Sequence, residues 1–230
     1  IHFFFKEFVS ELSEWADVTL VFNASENTEI QPIELPCDVE SLPLKRQISP
    51  IFDLICLIRL FSLFRTKRFD MVITLVPKAG LLGSLAGLAA NVGVRLHIFQ
   101  GEVWSSKSGL LRFILKCCDK ITVMASNALL AVSISEREFL ISENVVRAEN
   151  ILVLGQGSIS GVNTSVFRPD TDARMKWRRH HGIKENECLI LFLGRINRDK
   201  GVLELFLACR QLLREFADVK LAIVGPDEDN

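Results

Sequence analysis

The chain has 230 residues, 49% apolar and 24% charged, with 27 Lys and Arg against 28 Asp and Glu and a formal net charge of −1. This is ordinary globular composition, long enough for one large or two modest domains, and it lacks the basic excess of a nucleic-acid binder. Six scattered cysteines, four of them in apolar runs, show no C-x-x-C and no metal spacing, so reduced, buried thiols of a cytosolic protein are the better reading than disulfides or zinc.

The opening I-H-F-F-F-K-E-F carries no signal-peptide pattern and reads as the middle of a longer chain. His2 to Trp15 has Phe4, Phe5, Phe8, Val9, Leu12 and Trp15 at three-and-four spacing, which predicts an amphipathic helix. Val18 to Phe22 is a short β-rich run, and a second extended piece is expected at Ile33 to Leu35 between Pro32 and Pro36. Ser49-Pro50 predicts a helix start, with Ser as cap and Pro at the first position, running to Lys67. Ile51 to Phe64 is too short and too interrupted by Asp53 and Arg59 to cross a bilayer.

Phe69 to Leu75 reads as a buried strand, Pro77 to Gly80 as a loop, and Leu81 to Ala90 as a helix whose small residues press against a neighbour. Val94 to Phe99 is the next strand and Gln100 to Trp104 the loop at its carboxyl end. Leu110 to Ser126 forms a helix with Leu111, Ile114, Leu115, Cys118, Ile121, Thr122 and Ala125 on one face, and Ala128 to Val132 forms a strand. Ser133 and Ser135 read as helix caps, Ser135 with Glu138 at capping-box spacing.

Asn150 to Leu154 predicts a strand ending in Gly155-Gln-Gly157, a weak likeness to a dinucleotide fingerprint because no clear helix follows. Thr164 to Pro169 reads as an extended linker and Asp172 to His181 as a solvated basic helix, with His180 and His181 on the surface. Cys188 to Leu193, Val202 to Phe216 and Val219 to Val224 make a β-α-β unit. The alternation throughout predicts an α/β fold of parallel sheets covered on both faces. A lone β-α-β unit cannot cover both faces of its sheet, so a fragment of a longer chain, or a partner that completes it, is expected.

The run L-I-L-F-L-G-R-I-N-R-D-K-G, Leu189 to Gly201, organises the trailing half. An apolar strand ends at Gly194, Arg195 follows, and Lys200 precedes a helix. Ligands of open α/β sheets bind beyond the carboxyl ends of strands. Two cations there, beside a helix N-terminus, suit a diphosphate. A solvated loop pairing with local acids is the plainer alternative.

The ordered series P-K-A-G, H-I-F-Q-G-E-V-W, A-V-S-I-S-E-R-E-F-L, L-G-Q-G-S-I-S-G-V-N, F-R-P, L-G-R-I-N-R-D-K-G and V-G-P-D resembles retaining glycosyltransferases of the GT-B fold, of the kind that build bacterial surface polysaccharides from nucleotide sugars. The resemblance implies a Rossmann-like, acceptor-side domain over residues 1–165 and the start of a second, nucleotide-sugar-binding domain over 166–230. It implies a sugar-transferring enzyme whose donor is a nucleoside-diphosphate sugar and whose acceptor is a saccharide, free or lipid-linked, with no metal and no other cofactor.

Arg195 and Lys200 would grip the diphosphate and stabilise charge on the leaving group. Gly194, Gly157 and Asn163 would lie with them on the donor side. Lys78, Gly80, His97, Gln100 and Gly101, with the rest of the loop to Trp104, would line the acceptor side. Gln100 stands where many relatives have histidine. His97, three residues earlier and inside a strand, reads equally as a structural residue. The resemblance also places a strand and glycine-rich loop before Ile1 and an acidic motif after Asn230. It implies a cytoplasmic protein, at the inner face of the plasma membrane if the acceptor is lipid-linked. Two other readings stand beside it: a non-catalytic sugar- or partner-binding module, and, resting on Gly155-Gln-Gly157 alone, a nicotinamide-dependent oxidoreductase.

Overall fold

The computed structural model describes residues 6–23, 35–45, 47–158, 161–216 and 218–227. The chain divides into two compact units, residues 1–161 and 162–230. The expected extended piece at Ile33 to Leu35 and the aromatic run Phe3 to Phe5 fall almost wholly outside the described residues.

In the first unit, helix α1 (Lys6–Ser13) precedes β1 (Thr19–Phe22), which pairs in parallel with β2 (Asp38–Ser41). The segment D-V-E-S of β2 has no apolar alternation, and its ladder with β1 supplies the order that its side chains do not. Helix α2 (Pro50–Lys67) starts at Pro50 as expected, but the Ser49 side chain makes no capping bond. Instead the Ser49 backbone N–H donates to Asp53 Oδ2 at 3.1 Å. Cys56, Leu60 and Phe64, four residues apart, form the buried stripe of α2. They pack with Leu82, Ala86 and Ala90 of the next helix and its cap. Each large apolar side chain in that cluster contributes roughly 1.5–3 kcal/mol by burial.

Strands β3 (Met71–Thr74), β4 (Val94–Phe99) and β5 (Ala128–Ala131) form a parallel sheet in the order β3-β4-β5. Helix α3 (Pro77–Ala89) crosses from β3 to β4. Residues 77–80, expected as a loop, are its first turn, and the Gly80 N–H donates to Val76 O at 2.7 Å. Proline at the first helical position lacks only an N–H that has no partner there anyway.

Helix α4 (Gly109–Ala125) joins β4 to β5. Its buried side is Asp119, Thr122 and Ala125, while Leu111 and Ile114, expected to be buried, are about half exposed. The inward turn around Asp119 follows from Trp104, whose indole Nε1–H donates to Asp119 Oδ2 at 2.6 Å. Helix α5 (Ile134–Ser142) is capped by Ser133, whose Oγ accepts from the Glu136 N–H at 3.1 Å. The capping pair is therefore Ser133 with Glu136, two residues before the expected Ser135 with Glu138. Asn150 to Leu154 is not a full strand: it contributes a single parallel bridge, Leu152 to Leu130. Phe99, Trp104, Leu129, Leu140 and Ile151 form the second core cluster.

In the second unit, residues 164–166 form a turn rather than an extended linker, because the Asn163 side chain accepts from the Ser165 N–H at 3.0 Å and its carbonyl from Phe167 N–H at 2.8 Å. Helix α6 (Thr171–His180) is capped by Asp170 and leaves His180 and His181 exposed. It is not wholly solvated. Arg178 is buried and donates through Nη2 to the carbonyls of Lys184 and, at 2.6 Å, Glu187. Strand β6 (Cys188–Leu193), helix α7 (Val202–Glu215) and β7 (Val219–Val224) complete a right-sized parallel β-α-β unit. All six cysteines are free, but only Cys56 and Cys209 are buried and Cys188 is exposed, a correction to the buried-thiol expectation.

Candidate functional site

Strand β6 is an uninterrupted apolar run, and its ladder with β7 continues past the strand ends. Gly194 N–H donates to Val224 O at 3.0 Å and Ile196 N–H to Pro226 O at 2.8 Å. A Cβ at Gly225 would stand 1.8 Å from the Gly194 carbonyl oxygen, so the two strand exits meet backbone to backbone and only glycine fits at 225. Arg195 leaves β6 directly from this junction and is partly buried. The next turn, Arg198–Lys200, is a short 3₁₀ helix capped by Asn197, whose Oδ1 accepts from the Lys200 N–H at 3.2 Å. Gly201, with φ 72°, then turns the chain into α7. Arg195, Lys200 and the amino end of α7 thus lie within eight residues at the carboxyl end of β6. Two cations and a helix amino end with uncompensated N–H groups form a positive locus suited to a dianion.

Asn163, by contrast, is committed to its own turn. Gly157 belongs to the first unit, where its φ of +95° and a would-be Cβ 2.3 Å from Val132 O give it a structural reason to be glycine. Its neighbour Ser158 donates its N–H to the same Val132 oxygen at 2.7 Å. The Gly155-Gln-Gly157 turn therefore packs on the exit of β5, and among the described residues no helix opens from it.

The residues expected on the acceptor side lie in the first turn of α3, after β3, and in β4 and the loop beyond it. Lys78 Nζ pairs with Asp53 Oδ1 at 2.9 Å and donates to Gln47 O, tying the starts of α2 and α3 together. His97 is 2% exposed, with Nδ1 2.8 Å from Thr74 Oγ1 and its ring edge-on to Phe99. Burial, partly opposed by hydrogen bonding at Thr74, lowers its pKa to about 4, so the ring is neutral at physiological pH. Gly80 lies directly over this ring: a Cβ there would be 2.4 Å from His97 Cε1. Gly80 and His97 are thus packed on each other in the sheet–helix core.

Beyond β4 the chain is braced by Glu136. One carboxylate oxygen accepts from the Gly101 N–H, and the other accepts from Val132 N–H at 2.9 Å. One side chain at the start of α5 thereby joins the exits of β4 and β5. Trp104, at the end of the loop, is 1% exposed and stacks on Phe139. Arg112 and Lys116 of α4 lie over its ring and pair with Glu143.

Between these anchors sit Gln100 and Glu102. Glu102 is 8% exposed, and burial first, then the neighbouring Glu136 and Asp119 charges, push its pKa up to about 7. The sequence reading included Glu102 only as part of the loop Gln100 to Trp104, and gave Glu136 and Asp119 no role at the site. The signal within reach was an acid two residues beyond a buried strand, followed by a buried aromatic. Among the described residues no group of three or more His, Cys, Asp or Glu is placed to hold a metal ion.

Two parallel α/β units with ligand-competent strand exits define a Rossmann-like architecture, and comparison with known proteins identifies the family. The chain belongs to the family described as glycosyl transferase 4-like domain, whose model matches residues 3–157, and the model of glycosyl transferases group 1 matches residues 173–230. The ordered-motif resemblance and the GT-B class are thereby borne out.

Among curated relatives, the capsular polysaccharide biosynthesis glycosyltransferase CapM of Staphylococcus aureus is 28% identical over 184 residues, which cover 80% of this chain and 48% of CapM. The UDP-Gal:alpha-D-GlcNAc-diphosphoundecaprenol alpha-1,3-galactosyltransferase of Escherichia coli is 26% identical over 188 residues, with 80% and 48% covered. The chain spans about half the length of these relatives. Anabaena Alr3699/HepE, solved in complex with UDP and glucose, shares the fold with a TM-score of 0.73 at 15% identity, over 96% of this chain and 56% of that one.

Proposed function

We propose that the protein transfers a sugar from a nucleoside-diphosphate sugar to a saccharide or lipid-linked acceptor in surface polysaccharide synthesis, with retention of anomeric configuration and without a metal ion. The observation that carries this reading is the cationic exit of β6, where Arg195 and Lys200 stand at the amino end of α7. As the bond between the anomeric carbon and the diphosphate oxygen breaks, its electron pair goes to the diphosphate, and the two cations stabilise that growing charge. The acceptor oxygen bonds to the anomeric carbon and passes its proton to the departing diphosphate. The charge compensation that a divalent cation supplies in other phosphate chemistry is assigned here to side chains and helix amides. The curated relatives support both ends of the reaction, one named for capsular polysaccharide and one for a UDP-sugar donor and a lipid diphosphate acceptor.

A lipid-linked acceptor would place the enzyme at the inner face of the plasma membrane as a peripheral protein. No described helix is long and apolar enough to cross a membrane. Helix α2 turns Ile51, Leu54 and Ile58 outward beside Arg59, a pattern that suits shallow contact with an anionic surface.

The test uses the full-length protein: Arg195 and Lys200 are replaced together by Ala, and transfer is measured with several nucleotide sugars in the presence of a chelator. We expect loss of at least about a hundredfold in kcat/KM, on the scale of removing an electrostatic stabiliser, and no effect of chelation on the unaltered protein. Unchanged turnover in the double variant would overturn the role of the pair. Donor binding without turnover would mark a sugar-binding module instead.

A further inference from the structure

Helix α4 is held with its polar side inward. Asp119 and Thr122 are buried, Asp119 by its bond from the Trp104 indole and Thr122 with its Oγ1 donating to Cys118 O at 3.1 Å. On the opposite side Leu110, Phe113 and Met124 are 73%, 65% and 73% exposed, with Ile114 and Ile121 beside them. Their spacing of three, four and seven residues puts all five on one helix face. Single exposed apolar side chains are ordinary, but a continuous apolar stripe facing water marks an interaction surface.

The stripe is not alone. Helix α3 packs between α2 and α4, and right-handed crossovers along the order β3-β4-β5 put α3 and α4 on one face of the sheet. Leu88 of α3 and Ile51, Leu54, Ile58 and Phe61 of α2 are exposed as well. Charge is concentrated on the same three helices. With Arg68 and Lys107 at their ends they carry nine basic residues and two acids, in a chain whose totals are 27 and 28. Both acids are engaged within the unit, Asp53 with Lys78 and Asp119 with Trp104. Lys67 is offset by Asp38, and Arg112 and Lys116 by Glu143, which leaves Arg59, Arg65, Arg68, Lys107 and Lys120, all exposed.

We propose that the outward face of α4, extended by α2, docks on the surface of an anionic bilayer. Leu110, Phe113 and Met124 enter the boundary between headgroups and acyl chains, and Lys107, Lys120 and the arginines of α2 lie against lipid phosphates. The inference rests on the lipid-linked acceptor of the reading above and adds α4 as the helix that meets the lipid. Charge selects this occupant. A second copy would set the same basic face against itself, and a two-fold interface built from one patch cannot pair like charges. Helix α4 begins five residues beyond Trp104, so docking brings the loop beyond β4 to the bilayer surface.

The probe is vesicles of phosphatidylcholine with about 30% phosphatidylglycerol, sedimented with the full-length protein without any nucleotide sugar or acceptor, beside vesicles of phosphatidylcholine alone. We expect the unaltered protein to bind the anionic vesicles at least about tenfold more tightly and to lose that preference in high salt. Lys107→Gln with Lys120→Gln should weaken anionic binding by about thirtyfold. Leu110→Gln with Phe113→Gln, which keeps helix propensity, should weaken binding to both kinds of vesicle. All four side chains are exposed, so the urea midpoint should be unchanged in either variant.

No binding by the unaltered protein, equal binding to both kinds of vesicle, or unchanged binding in either α4 variant would each overturn the surface. Self-association that Leu110→Gln with Phe113→Gln abolishes would overturn it in favour of a second copy. A lowered urea midpoint in that variant would overturn it as well, by assigning the face to the rest of the chain. The transferase reading fails separately: the full-length protein would turn over no nucleotide sugar with a soluble acceptor while vesicle binding appeared as described.

Discussion

The contact between Gly80 and His97 offers a quantitative test of how the first unit is built. In Gly80→Ala the new methyl would sit 2.4 Å from His97 Cε1 and 2.8 Å from Nδ1, against an optimum of roughly 3.5–4.0 Å for carbon contacts. The ring has to move by about 1 Å. It is held by Thr74 Oγ1 at 2.8 Å on one side and by Phe99 at a centroid distance of 4.5 Å on another.

Overpacking of this kind costs about 1–3 kcal/mol, and losing the Thr74 hydrogen bond adds about 1 kcal/mol. Alanine regains up to about 1 kcal/mol over glycine inside a helix, so the net loss is about 2 kcal/mol. His97→Ala alone should cost about 2–4 kcal/mol through the cavity it leaves. In the double variant the methyl enters vacated space and only the helix-propensity gain survives. Gly80→Ala then becomes neutral or stabilising by up to about 1 kcal/mol, and the coupling is about 2–3 kcal/mol. Urea unfolding of the full-length protein and the three variants, followed by circular dichroism, reads each value. Additive losses within about 0.5 kcal/mol would refute the packing of ring on glycine and return both residues to a purely functional explanation.

Gly157→Ala should destabilise the first unit by about 2 kcal/mol or more, from φ +95° and the Val132 carbonyl 2.3 Å from the new Cβ; an unchanged urea midpoint would contradict the turn. His97 and Glu102 should give stability opposite pH dependences. The folded pKa of His97 is depressed to about 4, so its contribution is present above its ordinary pKa of 6.5 and is lost as pH falls from there toward 4, by at most about 3 kcal/mol. The folded pKa of Glu102 is raised to about 7 from 4.5, so its contribution is present below 4.5 and is lost as pH rises through 7. Urea midpoints across pH 4 to 8 check both, and Glu102→Gln should remove the upper limb alone.

Much of the architecture could be read from residue pattern because the elements that carry it are self-contained. Helix α2 has its proline start and a four-residue buried stripe, and β4, β6 and β7 are apolar runs of strand length. The misreadings occur where a distant partner decides. Pro77 to Gly80 reads as a loop because glycine suggests a turn, yet its glycine answers to a ring seventeen residues away. Strand β2 has no alternation and exists through its ladder with β1. Two serines two residues apart make the cap of α5 ambiguous until Ser133 Oγ is seen to accept from the Glu136 N–H.

The site divides in the same way. Arg195 and Lys200 lie at a strand exit that the run Leu189 to Gly201 marks by itself. Glu102 is buried beside Glu136 of α5 and Asp119 of α4, and no local spacing announces that.

The backbone contact of Gly225 with Gly194 bears on how this loop can vary. Main-chain bonds from Gly194 to Val224 and from Ile196 to Pro226 hold the two exits side by side, at a separation that leaves no room for a side chain at 225. Change is therefore closed off at this hinge, where a single added methyl would pry the strands apart.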